Sequence, residues 1–161
     1  MIIRPATARD IAAVHVIAAA NPTAPQWTTA QFDDILHPDP GSTVARAVLL
    51  AEAHGTVIGF VVVSALSTVY PVQAELESIA VLPQYQGQGT GSALLRAAFD
   101  WCRGNDVAEL RLEVRVSNTN AISLYKWAGF RMEGSRPNYY QRPAEDAMCM
   151  VRNTFPVEPL P

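Results

Sequence analysis

Between positions 81 and 95 the chain reads Val81-Leu-Pro-Gln-Tyr-Gln86-Gly-Gln-Gly89-Thr-Gly91-Ser-Ala-Leu-Leu95, and its three alternating glycines constrain the fold more than any other feature. A β-rich run precedes them and a leucine-rich helical pattern follows. Glycine permits a tight turn and lets a ligand come close to the backbone N–H groups. A helix that starts directly after such a turn offers unpaired N–H donors and the positive end of its dipole, which together suit an anion. Three readings follow: a plain strand-to-helix turn, a dinucleotide site, or a pyrophosphate cradle of another kind. The first makes costly use of three glycines in five residues. For the second, Gly87-x-Gly89 is followed by Ser92, with Glu109 or Glu113 about 20 residues on. Against it, Pro83–Gln86 separates strand from glycines, and the 70 residues after Gly91 are too few to complete a large doubly wound sheet.

The surrounding pattern is mixed α/β. Ile2 to Arg4 reads as a short strand ended by Pro5, and Thr7-x-x-Asp10 as a helix start, with Ile11, Val14, His15 and Ala18 at helical spacing. Thr28 can cap a second helix carrying Phe32, Ile35 and Leu36. Val44–Ala53 and Thr56–Leu66 are β-rich runs joined by His54-Gly55, a hairpin signal. A third strand is expected over Ala74–Leu82. The helix after the glycines carries Leu94, Leu95, Ala98, Trp101 and Cys102 on one face and closes at Gly104. Ala108–Val116 alternates as a strand, Asn120–Ala128 reads as a helix closed by Gly129, and Phe130–Met132 with Ala147–Val151 as a final strand pair. Hairpins therefore come early and a β-α-β unit late. One domain over residues 1–152 is expected, with residues 153–161 a disordered tail.

Composition narrows the function. The chain has 161 residues, 49% of them hydrophobic and 17% charged, which is globular rather than disordered. Its net charge of −3 argues against a general nucleic-acid binder. Seven acids and three bases precede residue 81; eight acids and nine bases follow, a contrast compatible with an anionic ligand on the C-terminal half. The apolar run from Val57 to Leu66 is too short to span a bilayer, and Met1-Ile-Ile-Arg-Pro5 shows no signal-peptide pattern. The two cysteines, Cys102 and Cys149, form no metal or redox spacing, nor do His15, His37 and His54 make a ligand set. A cytoplasmic location, with no membrane partner and no metal, is the resulting expectation.

Two segments carry a family resemblance. Gln86-x-x-Gly89-x-Gly91 is similar to the Gln/Arg-x-x-Gly-x-Gly/Ala pyrophosphate loop of GNAT acetyltransferases, here in the right strand–turn–helix context. The pattern Leu112-Glu-Val-Arg115…Asn118…Ala121-x-x-Leu-Tyr125…Gly129-Phe resembles RimI-type ribosomal-protein alanine N-acetyltransferases, as do Arg136-Pro-Asn-Tyr-Tyr140 and Glu145-Asp-Ala-Met. The resemblance runs from about Glu75 to Val151, with a looser echo in Pro25-Gln-Trp27…Phe32. It implies the GNAT fold, a twisted mixed sheet splayed at its centre with flanking helices, and acetyl-CoA as cosubstrate. It further implies that Ile79, Ala80 and Val81 contact the pantetheine and acetyl group. Gln86, Gly87, Gln88, Gly89, Thr90, Gly91 and Ser92 would hold the pyrophosphate, and Asn118 would contact the cofactor. Glu113 would be the general base and Tyr125 the general acid. The acceptor it implies is the N-terminal α-amine of a protein, alanine-initiated and ribosomal. A small-molecule amine, other protein N-termini, or a non-catalytic acyl-CoA-binding module are the alternatives.

The chemistry explains the residue types. An α-amine with pKa near 8 is mostly protonated at neutral pH and must lose a proton before attacking a thioester. A carboxylate can receive that proton. The oxyanion needs a donor, for which a strand N–H at a bulge near Val81 would serve. The departing thiolate leaves more easily if protonated. On pattern alone, Glu113 is also one rung of a solvated face with Glu109, Arg111 and Arg115, and Tyr125 a half-buried helix aromatic. Tyr139 and Tyr140 are either ordinary loop aromatics or a cover for the peptide. One departure from the family stands out in Glu75-Leu-Glu77-Ser-Ile79-Ala-Val81. Period two places Glu75, Glu77, Ile79 and Val81 on one face, which makes Glu77 a rival base.

Overall fold

The computed structural model describes residues 1–68 and 70–155. Among these residues, seven strands form one sheet: β1 (Ile2–Pro5), β2 (Val44–Ala53), β3 (Thr56–Leu66), β4 (Val72–Val81), β5 (Val107–Arg115), β6 (Arg131–Gln141) and β7 (Ala144–Asn153). Four α-helices accompany them: α1 (Ile11–Ala19), α2 (Thr29–Leu36), α3 (Thr90–Gly104) and α4 (Thr119–Trp127). The strand order is β1-β2-β3-β4-β5-β7-β6, and every neighbouring pair is antiparallel except β4 with β5. A parallel pair needs a crossover, and α3 supplies it.

Local chemistry sets the element ends. Thr7 and Asp10 make the expected box, the Thr7 N–H and hydroxyl each donating to Asp10 Oδ2 at 2.8 Å. Ahead of α1 the box encloses a short 3-10 turn, Ala8–Asp10. Thr28 and Gln31 cap α2 reciprocally, with the Gln31 N–H donating to Thr28 Oγ1 at 3.2 Å and the Thr28 N–H to Gln31 Oε1 at 2.9 Å. His54 and Gly55 both have positive φ, 50° and 74°, the demand of a two-residue hairpin turn. The apolar run read as too short for a bilayer is β3, buried on both faces because helices cover the sheet on each side. No helix among the described residues is long and apolar enough to cross a membrane.

The sheet has a core on each side. On one, Leu94, Leu95, Ala98 and Cys102 of α3 pack with Ile122 and Tyr125 of α4 against Val61, Val63, Leu110 and Leu112. On the other, Val14 and Ile17 of α1 and Phe32 and Ile35 of α2 cover Val48, Leu50, Phe60, Val62 and Ala80. Burying a side chain such as Phe32, 0% exposed, contributes about 1.5–3 kcal/mol.

Two features of the sheet make the site. Parallel pairing of β4 with β5 covers only Val72–Glu75 and Val107–Arg111, after which the strands part. Leu76–Val81 and Leu112–Arg115 thus become the walls of a cleft, the splay that the resemblance implied. The second feature is a bulge in β4. Val62 faces Ser78 and Val63 faces Leu76, so Glu77 is the extra residue. It lies at Glu77 and not near Val81 as expected from sequence. It also overturns the simple period-two reading. Glu75 opposes Ser64, Ser78 opposes Val62 and Ala80 opposes Phe60, all on the α1–α2 face; Leu76 and Val81 belong to the α3 core and Ile79 packs against it.

The last strand pair is longer than the sequence pattern indicates. Register shifts at Met132/Gly134 and Arg136/Tyr140 and a left-handed Asn138 (φ 52°) break its alternation, and Pro137 sits inside it. The boundary expected at residue 152 also moves. β7 continues through Asn153, and the Thr154 N–H donates to Ala108 O at 2.9 Å. The remainder of the expected tail, from residue 156, lies outside the described residues.

Candidate active site

The glycine turn is built as its sequence demands. Gly87 and Gly89 have φ of 71° and 83°, and Gly89 is the left-handed N-cap of α3. Such angles disfavour any L side chain. A Cβ at either position would meet nothing within 4 Å, so conformation and not space requires glycine there. Among the described residues, no backbone carbonyl accepts from the N–H groups of Thr90, Gly91 and Ser92. These are the orphan donors of the α3 N-terminus, and they suit a phosphate.

The turn forms the floor of a cleft of about 790 Å³ between β4 and the β5–α4 junction. Of the residues the resemblance assigns to the cosubstrate, Ile79, Ala80, Val81, Gln86, Gly87, Gly89, Gly91, Ser92 and Asn118 line it. Gln88 and Thr90 do not. The Gln88 amide donates to Gln84 O at 2.8 Å on the outer surface. Thr90, 3% exposed, turns its hydroxyl inward to Tyr85 O, leaving only its N–H for a ligand. Asn118 has a local duty as well, its side-chain oxygen capping α4 by accepting from the Ala121 N–H at 3.2 Å.

Asn21, which sequence reasoning missed, joins the site from the end of α1. Its amide donates to Ile17 O at 2.8 Å and Val81 O at 3.1 Å, and its oxygen accepts from Gln86 Nε2 at 3.2 Å. Gln86 Nε2 also reaches Val81 O at 2.9 Å. The only local signal was Asn21-Pro22 ending a helix; the partner 60 residues away was invisible.

A second chamber, about 280 Å³, opens where β4 and β5 part. Glu75, Glu77, Ser78, Glu113, Tyr125, Tyr139 and Tyr140 are among its walls. It shares Asn21, Ile79, Arg115 and Asn118 with the cofactor-sized cleft. On its far side it shares Glu75, Glu77 and Glu113 with a groove of about 670 Å³ that Trp27, Arg46 and Arg136 also border. The expected base and acid therefore meet in one chamber with an opening on each side.

Their surroundings differ. Tyr125 is 5% exposed and edge-on to Phe130, and burial raises its hydroxyl pKa, keeping the proton on. Glu113 forms an ion pair with Arg136 at 3.2 Å, and Glu77 one with Arg46 at 2.9 Å. Glu75 makes neither; partial burial and then the charges of Glu113 and Glu77 raise its carboxyl above the ordinary range. Tyr140 is pushed up to about 12 by burial first and Tyr139 next.

Arg115, expected as part of an alternating face, is 7% exposed at the junction of both chambers. Its guanidinium donates to Pro143 O at 3.1 Å, Arg142 O at 3.0 Å and Glu145 Oε2 at 3.2 Å, and lies 4.1 Å from the Tyr140 ring centroid. One buried cation thus fixes the β6–β7 hairpin, and with it the tyrosines, against the second chamber.

Comparison with known proteins agrees with this geometry. A family model described as "Acetyltransferase (GNAT) family" matches residues 12–130. A Bacillus subtilis (strain 168) protein provisionally named a [ribosomal protein bS18]-alanine N-acetyltransferase is 36% identical over 141 residues, 88% of this chain and 87% of its own. "N-alpha-acetyltransferase RimI" of Mycobacterium tuberculosis (strain ATCC 25618 / H37Rv) is 39% identical over 104 residues, 65% of this chain and 64% of its own. Among solved structures, the ribosomal-protein-S18-alanine N-acetyltransferase from Escherichia coli superposes with a TM-score of 0.73 at 32% identity, covering 95% of this chain and 93% of that one. With a splayed mixed sheet, a helix-capping glycine turn and these relatives, the chain belongs to the GNAT family of acetyltransferases.

Proposed function

We propose that this N-acetyltransferase moves an acetyl group from acetyl-CoA to the N-terminal α-amine of a protein, with an alanine-initiated ribosomal protein as acceptor. The observation that carries the reading is the chamber between two openings, with Glu113 and Tyr125 both in its wall. The cleft beyond one opening fits the cosubstrate: free α3 amides and left-handed glycines suit a pyrophosphate, and Asn118 and the edge of β4 flank the path inward. Bound there, acetyl-CoA supplies the activated thioester carbon. The opposite groove admits a chain end, and the chamber of about 280 Å³ has room for a small first residue such as alanine.

Glu113 takes a proton from the incoming ammonium, and Tyr125, held protonated by burial, gives one to the leaving sulfur. Tyr139 and Tyr140 cover the acceptor end, with Arg115 behind them. The names of the relatives support the choice of a ribosomal N-terminus. Assaying thiol release and peptide mass tests the proposal. Peptides beginning with Ala, Ser or Met are compared with an N-terminally blocked lysine peptide and with small amines. N-terminal alanine should be preferred; preferential acetylation of internal lysine or of a small amine overturns the assignment.

A further inference from the structure

Resting on that reading, we infer that Arg115 and Glu145 are a pair of positioning residues that clasp the tyrosine-bearing end of the β6–β7 hairpin to the wall of the cofactor cleft, so that acetyl-CoA and the acceptor peptide strengthen each other's binding.

The hairpin end needs a clasp because the sheet does not hold it. Pairing of β5 with β7 stops at Arg115 opposite Ala147, so residues 144–146 project past the end of β5. On the β6 side the ladder breaks between Arg136 and Tyr140, which leaves residues 137–139 without strand partners. Tyr139 and Tyr140, both in the wall of the second chamber, therefore sit on an overhang. Two strands alone are marginally stable in water, so the place of the overhang is set by what else grips it.

The grip comes from the turn that follows β5. The Arg115 guanidinium donates to Arg142 O, Pro143 O and Glu145 Oε2 and lies over the Tyr140 ring. Glu145 Oε1 accepts from the Ser117 N–H at 2.6 Å. Asp146 adds two contacts, its carbonyl accepting from the Val116 N–H at 3.3 Å and its carboxylate from the Asn138 N–H at 2.8 Å. Glu145 is the centre of the arrangement. It stands opposite Tyr140 in the β6–β7 register, and its one carboxylate joins that rung to both Arg115 and Ser117. The Ser117 hydroxyl first, then the Ser117 N–H and Arg115, hold its carboxyl below the ordinary range, so it is an anion at neutral pH.

The same turn walls the cleft proposed for acetyl-CoA. Arg115, Ser117 and Asn118 line that cleft, and the Asn118 N–H donates to Arg115 O at 3.0 Å to close the turn. A ligand that fixes this turn favours the clasped hairpin. By linkage, a peptide held beneath the tyrosines then favours acetyl-CoA by the same factor. Losing the clasp lowers the fraction of molecules with the cover in place. That raises the apparent peptide Kd in proportion and leaves Glu113 and Tyr125 untouched.

Glu145→Ala, Glu145→Gln and Arg115→Lys test the pair, with Asp10→Asn as a stability control bonded to Arg4 instead. On an Ala-initiated peptide, Glu145→Ala should raise the peptide KM about 10–30-fold and keep kcat within about twofold. Glu145→Gln still accepts both bonds but carries no charge, so its rise should be smaller, roughly 3–10-fold. Arg115→Lys should act in the same direction, because one ammonium cannot replace a fork that reaches three oxygens. In calorimetry, CoA, which has no acetyl group to transfer, should tighten peptide binding about 5–50-fold in the parent and in Asp10→Asn, and less than about twofold in Glu145→Ala. Amide hydrogen exchange reads the clasp without any acceptor. Acetyl-CoA should slow exchange over residues 137–146 in the parent and not in Glu145→Ala, while residues 86–92 gain protection in both. A parent-like peptide KM in Glu145→Ala and Arg115→Lys, a CoA effect that survives in them, or losses of KM and kcat that Asp10→Asn reproduces, overturns the pair and leaves the N-terminal reading standing. A parent inactive on every N-terminal peptide overturns that reading, and the exchange pattern then decides the clasp by itself.

Discussion

Replacing Gly89 by valine tests the proposed phosphate cradle at its most constrained residue. Gly89 is the N-cap of α3 at φ 83°, and its added Cβ would touch no atom within 4 Å. The penalty is therefore conformational, about 1–2 kcal/mol for an L residue held left-handed, with β-branching toward the upper end. For a domain of this size each kcal/mol shifts Tm by roughly 2–4 °C, so the ligand-free variant should melt about 2–8 °C lower. The parent at a hundredfold excess of acetyl-CoA over Kd gains about 2.7 kcal/mol, or roughly 5–10 °C. In the variant, relief of strain rotates the amides of residues 89–92 away from a common focus, and the isopropyl group intrudes on the cleft. The acetyl-CoA-induced rise should vanish. Gly104→Ala is the control, since its Cβ also meets nothing within 4 Å and it lies at the far end of α3; its rise should match the parent's. Thermal melts by circular dichroism, with and without acetyl-CoA, give both numbers. A Gly89→Val protein that melts lower yet keeps the full ligand-induced rise would refute the reasoning.

Three further outcomes follow from named contacts. Tyr125→Phe should lower kcat by about 10²-fold or more with little change in acetyl-CoA affinity, since only the proton donor is lost; equal losses of binding and turnover would count against the acid role. Asp10 is held well below the usual carboxylate range, first by hydrogen bonding to Arg4, so its contribution is full above the unfolded value near 3.8 and disappears as pH falls toward its folded value. Asp10→Asn should therefore cost about 1–3 kcal/mol at neutral pH and flatten the acid limb of a urea-unfolding series, while an unchanged limb would show that Asp10 is not linked to acid unfolding. Burial pushes the Cys102 thiol up to about 12, so native protein at pH 8 should leave it unmodified by iodoacetamide, with peptide mapping as the readout; labelling there without unfolding would contradict the packed α3 face.

The local rules of the chain determined most of the elements and half of the site. Val44–Ala53, His54-Gly55 and Thr56–Leu66 follow from apolar runs around a two-residue turn, all of it nearest-neighbour chemistry. Thr7 with Asp10 and Thr28 with Gln31 declare their own caps for the same reason. Gly87, Gly89 and Gly91 lie within five residues, so the candidate anion site was legible before any fold was known. Family resemblance, and not periodicity, drew attention to Glu113 and Tyr125.

Tertiary structure decided what depends on residues far apart in the chain. Whether Glu75 faces Ile79 or Ser78 turns on one extra residue at Glu77, and a bulge is a property of two paired strands, here β4 against Val62 and Val63. The same holds for Asn21, whose partner Val81 is 60 positions away, and for Arg115, which leaves its apparent solvent-facing row to hold Arg142, Pro143 and Glu145. In β6, Pro137 and two register shifts erase the alternation that marks a strand, and only pairing with β7 keeps it extended. Periodicity reports which face a side chain takes within one element; which charges meet across a cleft is set by where strands stop pairing, and that is settled only when the whole sheet forms.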